Sequence, residues 1–378
     1  MDTRLRLATV LVLTMTMGIW SCGDDGGGGG AGDADADGDT DADGDGDADG
    51  DSDSDTDSDA DGDSDSDTDT DTETDTETET GSDELVCDQG THEGNAFIYL
   101  TSQLGDFAGY TGITGSLHIN CSAADIEQLA CLTAVGGSLT ITGSYNLTSL
   151  EGLRNLASVG YGLYFTDNAK LPDLTGLESL SSVGGSLRVK NNALMTSLAG
   201  LENVPAFGGF IEIEDNPVLT GFDGLDGVTA ISSHLRVWNN AALADFTGLG
   251  GLLTVGGDLD VRFNDSLTSL AGMGSLTSVG GDLTFWANDD LISVDGLDDL
   301  AAIAGDLFVW NNTALASLAG LANLATLGGD LTVYHNYALP YCEICDVMAH
   351  VSGYSGFTTC HSNLADDCWS HTWGLVCP

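Results

Sequence analysis

Apolar residues recur along this chain in a fixed phase. A leucine or isoleucine opens a short apolar stretch at Leu139, Leu163, Leu187, Ile211, Leu235, Leu259, Leu283, Leu307 and Leu331, every 24 residues. A second apolar residue follows two places on, from Ile141 to Val333. An asparagine follows five places on, at Asn168, Asn192, Asn216, Asn240, Asn264, Asn288, Asn312 and Asn336. A unit repeated at this period is a solenoid coil, which buries its apolar side chains only when the next coil stacks on it. The opening L-x-V has the period of a strand, whereas the L-x-x-L-x-x-L that follows has a period of three. An amphipathic helix alternates three and four, so the pattern predicts one strand per coil followed by irregular segments, with coils about 4.8 Å apart. In the coil that opens at Leu259 the predicted core set is Leu259, Val261, Leu267, Leu270, Met273, Leu276 and Val279. Gly272 and pairs such as Gly184-Gly185 and Gly280-Gly281 are expected at corners with positive φ. The asparagines are expected to stack as an amide ladder, because a group repeated in every coil serves the coil.

The predicted fold is an all-β, right-handed parallel β-solenoid of 24-residue coils, spanning 136–341 and preceded at 85–135 by an N-terminal cap and first coil. Any solenoid must close its two open core ends. Cysteines gather there: Cys87, Cys121 and Cys131 before the regular coils, and Cys342, Cys345, Cys360, Cys368 and Cys377 in a C-terminal cap at 342–378. In an exported chain these are disulfide candidates. Zinc is the rival for Cys342, Cys345, Cys360, His361, Cys368 and His371, and export disfavours it.

Export is predicted by the N-terminus. Arg4 and Arg6 precede an apolar run too short for a membrane span, which ends at Ser21-Cys22. Residues 1–21 therefore read as a signal peptide. The Ser-Cys-Gly junction resembles a bacterial lipoprotein processing site, which implies lipidation of Cys22 and anchoring in the outer membrane, with the protein exposed at the cell surface. Residues 22–84 hold glycine and then Asp alternating with Ala, Gly, Ser and Thr. With nothing to bury and strong self-repulsion, this stretch is expected to be a disordered, extended linker. Nearly half of the 60 acidic residues lie in it, so the net charge of −52 describes the tether more than the coils. It lacks the hydrophobic residue and closing glutamate of a calcium-binding loop, which leaves weak Ca²⁺ association there and no dedicated metal or cofactor site. A chain this acidic repels phosphates, which excludes nucleic acid as a partner. Nothing in the pattern sets an oligomeric state.

Side chains alternate along a strand, so the residues one and three places after each opening leucine are predicted to face solvent. The first column reads Thr140, Tyr164, Arg188, Glu212, Arg236, Asp260, Thr284, Phe308, Thr332. The second reads Thr142, Thr166, Lys190, Glu214, Trp238, Arg262, Trp286, Trp310, Tyr334. Beyond the signal peptide, four of the six basic residues and three of the five tryptophans fall in these columns. The alternating charges predict a cross-strand ladder, Arg188 to Glu212 to Arg236 to Asp260. Trp286, Phe308, Trp310 and Tyr334 predict a contiguous exposed apolar patch, a feature that marks recognition surfaces. Candidate ligand contacts are Trp238, Trp286, Phe308, Trp310 and Tyr334, with Arg236 and Arg262 as polar partners.

The segment GDLTFWANDDLISVDGLDDLAAIAGDLFVWNNTALASLAGL resembles the receptor L-domain, a relative of the leucine-rich repeats found in the ligand-binding lobes of insulin and EGF receptors. Related bacterial surface lipoproteins carry similar arrays. The resemblance spans about residues 115 to 341 and implies a right-handed solenoid of parallel strands. The receptors' ligand residues have no counterpart here. Catalysis is not expected: no nucleophile elbow, phosphate loop or H-E-x-x-H is present. Glu212, Glu214, Asp215, Arg236, Asp260 and Arg262 are the set that a polysaccharide lyase on such a solenoid could use. The expectation is a non-enzymatic recognition or adhesion protein that binds a glycan or a cell-surface protein. A structural envelope or matrix component acting by self-association is the alternative.

Overall fold

The computed structural model describes residues 85–363. The predicted signal peptide, Cys22 and the acidic linker lie outside the described residues, as do Cys368, His371 and Cys377. The chain winds into a parallel β-solenoid with two sheets, one of 12 strands and one of 11. The opening stretch of each coil is a strand of the 12-stranded sheet, as at Leu187–Lys190, Ile211–Glu214, Leu235–Trp238 and Leu259–Arg262. Neighbouring strands pair in parallel without slippage: Leu187 with Ile211, Ile211 with Leu235, Leu235 with Leu259. Residues equivalent in the 24-residue repeat are therefore adjacent in space.

Each coil has two strands rather than the single one expected. The second is a two-residue strand such as Ser278–Val279, paired with Ala302–Ile303 of the next coil. Two residues are too few to show a period, so the sequence pattern does not expose it. Between the sheets lies a continuous core in which every coil repeats the same buried positions. In the coil from Leu259, all seven predicted core residues are buried, with exposures of 0–1%. Fully burying each such side chain contributes roughly 1.5–3 kcal/mol, and each does so against its neighbours in adjacent coils.

The glycines serve two purposes. Gly272 has φ 101°, as expected at a corner. The Gly-Gly pairs do not have positive φ. At Gly184 a Cβ would lie 2.1 Å from the carbonyl oxygen of Gly160 in the preceding coil, so the closeness of the coils favours glycine, although Ser232 and Ala304 hold the same repeat position in other coils. A second positive-φ position falls just before the ladder asparagine, at Asp167, Asn191, Asp215, Asn239, Phe263, Ala287, Asn311 and His335, with φ of 54–60°. Asn, Asp and His tolerate it, whereas Phe263 and Ala287 hold it at a cost.

The asparagine ladder forms as expected, and every member is fully buried. Asn240 Oδ1 accepts the backbone N–H of Asn216 at 3.1 Å, while its Nδ2 donates to the carbonyl of Ile213 at 2.9 Å. Asn240's own N–H goes to Asn264 Oδ1 at 3.0 Å, so each amide ties together three coils. A second ladder runs just before the opening leucine. Asp258, Asp282, Asp306 and Asp330 each accept, on Oδ1, a backbone N–H of the following coil.

The ends differ from the middle. Residues 90–119 already supply two strands to each sheet, and Cys87 is bonded to Cys131. At the other end the helix Tyr341–His350 is followed by a strand, Thr358–His361, that pairs with Leu331–Tyr334. Asn363 accepts from Asn336 and so continues the amide ladder. Cys342 and Cys360 each take part in a disulfide, and the pair formed between described residues is Cys87–Cys131. Among the described residues no group of three or more His, Cys, Asp or Glu is arranged to hold a metal ion, so the described members of the zinc alternative do not assemble.

Candidate functional site

The outward face of the 12-stranded sheet carries the two columns, with all seven candidate ligand contacts, in the order read from the repeat. It divides into a charged stretch on the strands from Leu187 to Arg262 and an aromatic stretch from Arg262 to His361.

The charged stretch is more deeply set than an outward column implies. Glu212, Glu214 and Asp260 are buried at 5%, 8% and 8% exposure, roofed by the long side chains beside them. Glu212 is the hub. Its Oε2 accepts from Arg188 Nε and Nη2, both at 2.6 Å, and its Oε1 accepts from Arg236 Nη1 at 2.7 Å. His234 Nε2 also lies 3.1 Å from Oε1. Burial pushes this carboxyl up, but the bonds from His234 and Arg188 and the charges of Arg188 and Arg236 outweigh it and hold Glu212 below the usual glutamate range. Lys190 lies 2.8 Å from Glu214 and 3.4 Å from Asp215, and its bond to Glu214 raises its pKa.

The predicted ladder stops at Arg236. Asp260 bonds Arg262 within its own strand, and Arg236 turns back toward Glu212. Two residues apart on one strand, Asp260 and Arg262 share a face, so the local pair wins over the cross-strand one. Burial dominates at Asp260 and raises its pKa despite Arg262. The Trp238 indole also favours the Asp260 ion, although its Nε1 is buried without meeting hydrogen-bond geometry. Arg236 Nε is likewise buried with no hydrogen-bond partner. Thr166, Arg188, Lys190, Glu212, Glu214, Arg236 and Trp238 line an open cavity of about 430 Å³.

The aromatic stretch is not the exposed patch expected. Trp238, Trp286, Phe308, Trp310 and Tyr334 are all half-buried. Parallel pairing sets equivalent residues one strand spacing apart, so the rings lie against one another. Trp286 and Trp310 stack at 5.0 Å between centroids and 5° between planes, and Trp310 and Tyr334 at 4.8 Å and 23°. Phe263 and His361 extend the column at either end. The Arg262 guanidinium lies 4.9 Å from the Trp238 centroid and 5.2 Å from that of Trp286, and Arg236 lies 4.3 Å over Trp238. Ring faces in this column are thus covered by neighbours, and the edges are left to meet solvent. A flat aromatic platform for a sugar ring is not available at Trp286 or Trp310.

The two columns leave out Phe263, one place beyond the second column, His234, two places before the first, and His361 in the C-terminal strand. Their signal is the register itself: His234 precedes Leu235 and Phe263 follows Arg262.

Compared with known proteins, the chain matches no family model, no curated protein and no solved structure.

Proposed function

We propose that the protein is a non-enzymatic surface lipoprotein that recognises a glycan or a cell-surface protein through the outward face of its 12-stranded sheet. On this reading Cys22 is lipidated, the acidic stretch at 22–84 is a tether from the outer membrane, and the solenoid is akin to the receptor L-domain.

One observation carries the reading. Coil formation does not require charged or aromatic residues in the outward columns, because Thr140, Thr142, Thr166, Thr284 and Thr332 occupy the same register positions. The Arg, Lys, Glu and Trp residues are nonetheless concentrated on adjacent strands in a chain of net charge −52, and Arg188, Lys190, Glu212, Glu214, Arg236 and Trp238 surround a cavity. Repetition accounts for the asparagines and leucines and leaves this cluster to be explained by a ligand. Contacts are expected from the ring edges of Trp286, Trp310 and Tyr334, the exposed side of Phe308, Trp238, and the guanidiniums of Arg236 and Arg262.

A glycan array and a screen of surface proteins test this reading, with wild type compared against a Trp286→Ala, Trp310→Ala double variant. Loss of binding in the folded variant is the expected result. Retention of full binding would move the ligand off the aromatic stretch. Light scattering of the same pair separates recognition from self-association, which predicts a drop in mass for the variant.

A further inference from the structure

We infer that the cavity between the strands Leu163–Thr166 and Leu235–Trp238 is a subsite for a hydroxy-carboxylate, and that the ligand is an acidic glycan whose uronate residue enters it. This rests on the recognition reading above and names its ligand class.

The cavity walls leave several polar groups unused. Glu212 is saturated, holding Arg188, Arg236 and His234 on its two oxygens. Three cations, Arg188, Lys190 and Arg236, are matched by Glu212 and Glu214 in the lining and by Asp215 at its edge, so the site is close to neutral in a strongly acidic protein. Lys190 has three N–H donors and meets carboxylates with two, at 2.8 and 3.4 Å. Arg236 bonds Glu212 through Nη1 and its Nε is buried out of a ligand's reach, but the side chain is 30% exposed, so Nη2 is the donor that it offers to the cavity. One acceptor is also unused: Glu214 Oε1 lies 3.9 Å from Arg236 Nη1, beyond hydrogen-bond length.

Unused donors beside one unused carboxylate oxygen call for a ligand with an anionic acceptor and a neutral donor close together. A uronate supplies both, the carboxylate to Lys190 and Arg236 and a ring hydroxyl to Glu214. The volume of about 430 Å³ takes a whole sugar ring rather than an isolated carboxylate. Trp238 has its ring under the guanidiniums of Arg236 and Arg262, so recognition here is by hydrogen bonds and charge, not by stacking on an aromatic face.

The test is calorimetric titration of the folded protein with an oligomer of galacturonic acid, with the same oligomer fully methyl-esterified, and with hexaglutamate as the peptide acid. The expected result is binding of the acidic oligomer alone, weakened at least roughly tenfold by Lys190→Gln and unaffected by Arg154→Gln. Arg154 loses the same charge at a site remote from the cavity, bonded to Glu127. Thermal unfolding checks that both variants remain folded. Equal binding of the ester would overturn the inference, as would preferential binding of hexaglutamate or indifference to Lys190→Gln. Ester binding that the Trp286→Ala, Trp310→Ala pair abolishes would keep the recognition reading while sinking this one. No binding of any probe would sink the subsite and leave the array result standing by itself.

Discussion

The asparagine ladder and the outward columns occupy the same coils at the same spacing, and they behave as opposites. From Asn168 to Asn336 the ladder position does not change its residue, is fully buried and makes the same bonds in coil after coil. The outward positions, two and four residues earlier, change from threonine to arginine, glutamate or tryptophan between neighbouring strands. The comparison separates two demands on one repeat. Positions that close the coil's own hydrogen bonds admit one solution, whereas positions that only cover a sheet face are open to any side chain that packs.

Breaking the constant column should cost most. Asn240→Ala removes the acceptor of the Asn216 N–H and the donor to the Ile213 carbonyl, both buried. Urea unfolding should report a loss of about 4 kcal/mol. Gly184→Ala brings a Cβ against the Gly160 carbonyl, but Ala304 holds the same repeat position, so a cost of roughly 1–2 kcal/mol is expected by the same measurement. In the variable columns the effects should be smaller than at Asn240. Glu212→Gln breaks a buried hub, yet Arg188 is 41% exposed and regains water, so about 1–2 kcal/mol is expected. Thr284→Ala, on a strand where nothing depends on it, should stay within about 0.5 kcal/mol. A Thr284 effect as large as that of Asn240 would erase the distinction.

The smallest effect is in pH dependence, and its sign differs between two carboxylates on the same face. Glu212 titrates lower folded than unfolded, so its contribution to stability is present above the unfolded glutamate value and is lost as pH falls through its depressed folded one. Asp260 titrates higher folded than unfolded. Its contribution is present below the unfolded aspartate value and is lost as pH rises through the raised folded one. Urea midpoints measured through the acid range should therefore fall less steeply with acid in Glu212→Gln and more steeply in Asp260→Asn.

Much of this architecture was legible in the text of the chain because parallel, in-register pairing turns a sequence period into a spatial column. Leu259, Val261 and the asparagines were read as core and ladder on that ground, and they are. The short second strands escaped because two residues show no alternation. The periodicity points to corners for the Gly-Gly pairs, whereas the contact that favours them is with a different coil. The aromatic column was placed correctly and its environment was not: ring stacking between strands depends on side-chain rotation, which periodicity does not encode. For the same reason the turn of Arg236 toward Glu212 rather than Asp260, and the cavity it helps to form, emerge only from the geometry.

The claim beneath the fold and the site is that residues 24 apart sit directly over one another. Amide hydrogen exchange in Asn240→Ala tests it with an internal control, because the ladder has a direction: the Asn216 N–H bonds Asn240 Oδ1, and the Asn264 N–H bonds Asn288 Oδ1. The account predicts that exchange at Asn216 quickens far more than at Asn264. Equal quickening at both, or protection retained at Asn216, would contradict it.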